Sequence, residues 1–179
     1  MPSVTPVLVV MGVSGSGKST IAELVAKGAR AQYIDADDLH PKANVDKMAA
    51  GVPLTDEDRW PWLKLVAQTM ESSTEPLVVA CSALRRSYRD VLRDIDTPVF
   101  FVHLHGDEGL LAQRLGGRAN HFMPPDLLKS QLDTLEKLEE DELEKGDVVI
   151  DIALPRDQKV ADIIELWTEK NSASRSEIK

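Results

Sequence analysis

Gly12-Val13-Ser14-Gly15-Ser16-Gly17-Lys18-Ser19 fits the pattern G-x-x-x-x-G-K-[ST]. Its flanks restrict the fold more than any other part of the chain. Val7-Leu8-Val9-Val10-Met11, just before it, is apolar, β-branched and too short for a globular helix, so it reads as a buried strand. After Lys18, Ile21, Leu24, Val25 and Gly28 recur at helical spacing. Strand, glycine loop and helix in that order form the context that a phosphate-binding loop requires. Glycines let the backbone approach phosphate oxygens, and successive N–H groups make an anion site at the positive end of the following helix. Gly12, Val13, Ser14, Gly15, Ser16, Gly17, Lys18, Ser19 and Thr20 are therefore expected to hold ATP. Lys18 serves the β- and γ-phosphates, and Ser19 serves magnesium.

Strand and helix patterns alternate along the rest of the chain. Strands are expected at Val7–Met11, Gln32–Asp35, Leu77–Ala80, Val99–Leu104 and Val148–Ile152. Helices are expected at Lys18–Lys27, Asn44–Ala50, Trp60–Glu71 (capped by Thr55 with Asp58), Leu84–Arg93, Asp107–Leu115, Pro125–Glu144 and Asp157–Lys170. Apolar strands alternating with helices imply a parallel sheet covered on both faces. The expected class is α/β: the three-layer αβα arrangement of P-loop NTPases, with a five-stranded parallel sheet and a mobile lid. One domain spans residues 1–179, with its core at about 7–170, the lid at about 114–125 and a disordered polar tail at about 171–179.

Charge and cysteine usage narrow the setting. The net charge of −9 leaves no basic surplus to neutralise phosphates, which argues against a nucleic-acid partner. The acidic run Asp133, Glu136, Glu139, Glu140, Asp141, Glu142, Glu144 and Asp147 reads as a solvated helix face and turn. Cys81 is the single cysteine, which excludes an internal disulfide and suits a reducing compartment. No signal peptide or membrane span is legible at the N-terminus, so a cytoplasmic protein with no membrane partner is expected.

Ligands of such sheets sit beyond the carboxyl ends of the strands. After the second strand comes Asp35-Ala36-Asp37-Asp38-Leu39-His40-Pro41. Two of its acids, Asp35 and Asp37, can serve different ligands. One can hold magnesium through water, and the other can accept the proton of an attacking hydroxyl. After the third strand, Arg86 stands near the ligand end and is expected to contact an anion, whereas Arg89 and Arg93 read as a solvated basic face. Cys81 reads as a small buried residue rather than a nucleophile. Arg114 and Arg118 flank Gly116-Gly117 in a lid that closes over the triphosphate. His121 either meets substrate or caps that loop. Trp60 and Trp62, beside Arg59, read as core residues, with a substrate-side wall as the alternative.

Several segments together resemble bacterial gluconate kinase, which groups with shikimate kinase and the nucleoside monophosphate kinases. They are Gly12–Thr20; Asp35–Pro41; Asn44–Leu54 with Asp58-Arg59-Trp60-Pro61-Trp62-Leu63; Cys81-Ser82-Ala83-Leu84-Arg85-Arg86-Ser87-Tyr88-Arg89-Asp90; and His121-Phe122-Met123-Pro124 with Leu127-Leu128-Lys129-Ser130-Gln131. The Cys-Ser-Ala-Leu-Arg-Arg and His-Phe-Met-Pro segments discriminate most. Ala36 stands where the family often has glycine, and Lys137 and Glu140 stand where prolines are common.

The resemblance implies ATP-dependent phosphorylation of D-gluconate at its terminal hydroxyl, feeding the pentose phosphate or Entner–Doudoroff routes, by a homodimer. On that reading Asp35 supports magnesium with Ser19, and Asp37 is the base. Asp37, His40, Arg59, Arg86 and His121 bind substrate. Lys18, Arg114 and Arg118 assist transfer. Another small-molecule kinase, for shikimate or a different sugar acid, is the nearest alternative. A GTPase-like switch needs an Asn-Lys-x-Asp motif, and the chain has none.

Overall fold

The computed structural model describes residues 5–116 and 125–176. Five strands, β1 (Val7–Met11), β2 (Gln32–Asp35), β3 (Leu77–Ala80), β4 (Val99–His105) and β5 (Val148–Asp151), form one sheet in the order β2-β3-β1-β4-β5. Every adjacent pair is parallel. The described helices are α1 (Lys18–Ala29), α2 (Lys42–Ala49), α3 (Asp56–Glu71), α4 (Arg86–Arg93), α5 (Glu108–Gly116), α6 (Pro125–Thr134), α7 (Glu140–Glu144) and α8 (Arg156–Ser176).

The three-layer α/β arrangement expected from the sequence is the one observed. Alternation along β1 splits the core. Leu8 and Val10 face α1 and α8, packing with Ile21, Val25, Ile163 and Trp167. Val7, Val9 and Met11 face α3 and α4, packing with Trp62, Leu63, Val66, Met70, Tyr88 and Leu92. Both faces of β1 are covered, so all five of its residues are buried. From β1 the chain goes to one edge for β2 and β3 and to the other for β4 and β5. The crevice therefore opens beside the carboxyl end of β1, where the glycine loop begins.

Three local departures from the sequence reading have physical causes. The helical pattern expected over 125–144 is broken: α6 ends at Thr134 and α7 begins at Glu140. Between them the chain crosses the start of α4. There Glu136 donates its N–H to Leu84 O at 2.7 Å, and its carboxylate accepts the Arg86 N–H at 2.9 Å. Leu138 is buried against the α3–α4 side of the sheet. A carboxylate at a helix N-terminus satisfies an orphan donor and the helix dipole, which favours this crossing. A 3₁₀ turn, Ala36–Leu39, also follows β2, with the Asp35 carboxylate capping it through the Asp37 N–H. Finally, α8 continues through Ser176, past the expected start of the tail at Asn171.

The acidic run and the basic face are corrected as well. Arg89 is fully buried rather than solvated, as is Glu142, and Asp147 is 5% exposed. They form one buried charge cluster with Arg93.

Candidate active site

The loop from Gly12 to Ser19 joins the buried β1 to the first turn of α1. Gly15 has φ +87°, and a Cβ there would lie 2.9 Å from the Leu111 carbonyl of α5. Gly17 caps α1 in the left-handed region with φ 84°. Glycine alone meets both demands without strain. Gln131 of α6 reaches into the loop, its Oε1 accepting the Ser14 N–H at 2.6 Å.

Asp35 ends β2 beside the glycine loop. The Ser19 hydroxyl donates to Asp35 Oδ2 at 3.2 Å, and the Tyr33 hydroxyl reaches the same oxygen at 3.5 Å. A hydroxyl and a carboxylate are hard oxygen donors of the kind magnesium takes. Among the described residues no group of three or more His, Cys, Asp or Glu is placed to hold a metal. That donor set fits an ion bound largely by phosphate and water. Burial and then the Asp35 charge push the Tyr33 phenol up to about 12, so it stays protonated and available as a donor.

Asp37 lies one residue into the 3₁₀ turn, its N–H donating to Asp35 Oδ1 at 3.0 Å. Surrounding protein raises its carboxyl above the ordinary value, and Lys18 works against that rise. The side chain is 68% exposed, so solvent also works against that rise. His40 Nε2 stands 3.8 Å from Asp37 Oδ1. Its ring stacks on Trp62, with centroids 4.1 Å apart at 16°. Burial lowers the His40 pKa. Asp37 opposes that effect and Arg59 adds to it. Trp62 is core, 4% exposed, and its Nε1–H donates to Ala36 O at 2.7 Å, which pins the turn that carries Asp37.

Arg59 lies one turn into α3. It donates to the Tyr88 hydroxyl at 3.2 Å and lies 3.5 Å from Asp56, while the Tyr88 hydroxyl donates to Asp56. Arg85 approaches the same Asp56 carboxylate at 3.8 Å. Trp60 packs edge-on against Tyr88. The structure thus brings Asp37, His40 and Arg59 close together.

Arg86 departs from the expected anion contact. Its guanidinium donates to Asp90, Glu139 and Asp141 at 2.7–2.8 Å, which leaves it committed to protein carboxylates. Cys81 is buried, and burial, followed by the Asp37 charge, pushes its thiol up to about 12. It is a packed thiol, not a nucleophile.

A cleft of about 570 Å³ lies on the α8 side of the loop. Gly17, Thr20, Arg114, Leu154 and Asp157 line it. Arg114 and Lys159 both donate to the Ile152 carbonyl there, at 2.7 and 3.0 Å. Arg118 and His121 lie outside the described residues, as does most of the expected lid.

Sequence reading assigned no role to Asn44, Tyr88, Gln131 or Lys159. Gln131 and Asn44 stood inside motifs that carried the resemblance. That was the only signal for them, because their partners are distant in sequence.

The AAA domain family model matches residues 7–140. A gluconokinase from Gluconobacter oxydans (strain 621H) is 50% identical over 138 residues, covering 75% of this chain and 78% of that protein. The thermoresistant gluconokinase of Escherichia coli (strain K12) is 40% identical over 163 residues, covering 89% and 92%. The crystal structure of a gluconokinase from Sinorhizobium meliloti 1021 superposes with a TM-score of 0.86 at 42% identity, covering 98% of this chain and 99% of that one. No helix among the described residues is long and apolar enough to cross a membrane.

Proposed function

Since the chain belongs to the gluconokinase family, we propose that it transfers the γ-phosphoryl group of ATP to the 6-hydroxyl of D-gluconate, giving 6-phospho-D-gluconate and ADP. The observation that carries this reading is the position of Asp37. It stands at the carboxyl end of β2, within the field of Lys18 on the glycine loop and 3.8 Å from His40. A carboxylate there can accept a proton from a hydroxyl aligned on the γ-phosphate.

The glycine loop holds the β- and γ-phosphates through its N–H groups, and Lys18 adds a mobile charge. Ser19 and Asp35 would hold magnesium, which when bound neutralises charge on the β- and γ-oxygens. Asp37 orients the 6-hydroxyl and takes its proton as the new O–P bond forms. The bond from Pγ to the β,γ-bridging oxygen breaks, and ADP carries away that electron pair. The carboxylate of gluconate needs a fixed cation, and Arg59, held by Tyr88 and Asp56, is preset for it. The tightly paired Arg86 is not used. Arg114 lines the cleft beside Thr20, which suits the nucleoside end of ATP. Arg118 and His121 keep the roles expected from sequence: charge stabilisation at the moving phosphoryl group and a substrate contact.

A cytoplasmic homodimer, with its product feeding the pentose phosphate or Entner–Doudoroff routes, completes this reading and rests on the family resemblance. Light scattering coupled to size exclusion tests the dimer. The reaction itself is tested by NMR of the product formed from ATP and ¹³C-labelled D-gluconate. Phosphorus coupled to C6 is expected, and coupling to any other carbon would overturn the assignment.

A further inference from the structure

Asn44 sits on α2 with 3% exposure, and its carboxamide faces two partners. Nδ2 lies 3.0 Å from the Asp58 backbone carbonyl and 3.2 Å from His40 Nδ1. A carbonyl carries lone pairs and no proton, so the nitrogen of the carboxamide must face it. The second N–H of that nitrogen points at His40 Nδ1, which must then offer a lone pair. A neutral imidazole with a lone pair on Nδ1 carries its proton on Nε2. Nε2 is the ring nitrogen directed at Asp37.

The surroundings hold this arrangement. Lys47, one turn on from Asn44, donates to Asp58 Oδ2 at 2.8 Å, so two residues of α2 dock on Asp58, the N3 member of the α3 capping box. Trp62 stacks on the imidazole and keeps it from turning over. The charged groups facing His40 are Asp37 and Arg59, and its side chain is 5% exposed. That burial disfavours the doubly protonated ring.

Accepting Asp37 as the base, we infer that Asn44 is a positioning residue that locks His40 as the Nε2–H tautomer. The imidazole then presents a donor, never an acceptor, to the Asp37 carboxylate and the incoming hydroxyl. Proton acceptance is left to Asp37 alone, and His40 orients it, the logic of a base held by a third group.

A two-bond ¹H–¹⁵N correlation spectrum of protein labelled in histidine nitrogen tests this directly, with His40 assigned by loss of its signals in His40→Gln. A pyridine-like Nδ1 and a pyrrole-like Nε2 at neutral pH are expected. A pyrrole-like Nδ1, or a doubly protonated ring, would overturn the inference without any variant having to fold. Asn44→Asp keeps the shape but turns the donor into an acceptor. It should make His40 Nδ1 pyrrole-like and lower kcat/KM for gluconate about tenfold, with KM for ATP within about twofold. An unchanged tautomer with unchanged kcat/KM contradicts the inference. The two readings fail separately: full activity in Asp37→Asn removes the base assignment, while the wild-type spectrum judges Asn44 alone.

Discussion

Arg89 lies bidentate on Glu142, with Nε–Oε2 at 2.8 Å and Nη2–Oε1 at 2.9 Å, and both side chains are fully buried. The same guanidinium donates to Ala83 O at 2.9 Å. Ala83 has φ 47°, a left-handed conformation unusual for alanine, in the turn that follows β3. The ion pair thus clamps the strand-end turn to the segment that includes α7. Arg93 adds a second contact to Glu142 at 2.7 Å and pairs with Asp147.

Glu142→Gln keeps the shape but leaves the buried arginine charge uncompensated, which should cost about 3–5 kcal/mol at neutral pH. Burial alone would raise the Glu142 carboxyl. Hydrogen bonds from Arg89, the Glu139 N–H and Arg93 overcome that and hold it at about 2, below the ordinary 4.5. A carboxyl with a depressed folded value stabilises above its unfolded value and loses that contribution as pH falls through the folded one. The gap in unfolding free energy between wild type and Glu142→Gln should therefore shrink between about pH 4.5 and about pH 2. Denaturant titrations across that window measure it.

Trp62→Phe removes the buried donor to Ala36 O and keeps most of the ring. An unpaired buried carbonyl costs about 1–3 kcal/mol. Thermal unfolding should shift down by several degrees. The turn that carries Asp37 also loosens, so KM for gluconate should rise while KM for ATP holds.

Gln131→Glu places a negative charge 2.6 Å from the Ser14 N–H of the glycine loop, close to the proposed triphosphate site. KM for ATP should rise about tenfold or more, while Gln131→Met, which only deletes the hydrogen bond, should cost about 1 kcal/mol. Steady-state kinetics with ATP varied separates the two effects.

Asp37→Asn should lower turnover by about 10²-fold or more, the scale of a lost general base, with ATP affinity changed little. Nucleotide binding by calorimetry and turnover by a coupled assay give the two numbers independently. Turnover within a few-fold of wild type would show that another group takes the proton.

The glycine loop, the five strands and the acids after β2 were legible because each is written in contiguous residues with a fixed backbone geometry. Thr55 and Asp58 announced the start of α3 for the same reason, and both capping hydrogen bonds are made. The arginines of α4 were not legible. Arg89 reads as a surface residue on a helical wheel, and its partner Glu142 is 53 positions away. Arg86 had the right location for a ligand contact, but Glu139 and Asp141 arrive from a segment read as one long helix. Breaking that helix at Thr134 turns an apparently solvated acidic run toward α4. Asn44 was obscured in the same way: its role depends on a tautomer that only the packing of α2 against α3 can set.

The central claim is tested most directly by kcat/KM for ADP formation with D-gluconate, 2-ketogluconate, shikimate, adenylyl sulfate and nucleoside monophosphates as acceptors under one set of conditions. D-Gluconate should exceed every other acceptor, by about 10²-fold or more over shikimate, adenylyl sulfate and the nucleotides, which lack the pairing of a carboxylate with a primary terminal hydroxyl and would leave polar groups unpaired. Shikimate, a nucleotide or another sugar acid turned over as well as gluconate would contradict the account.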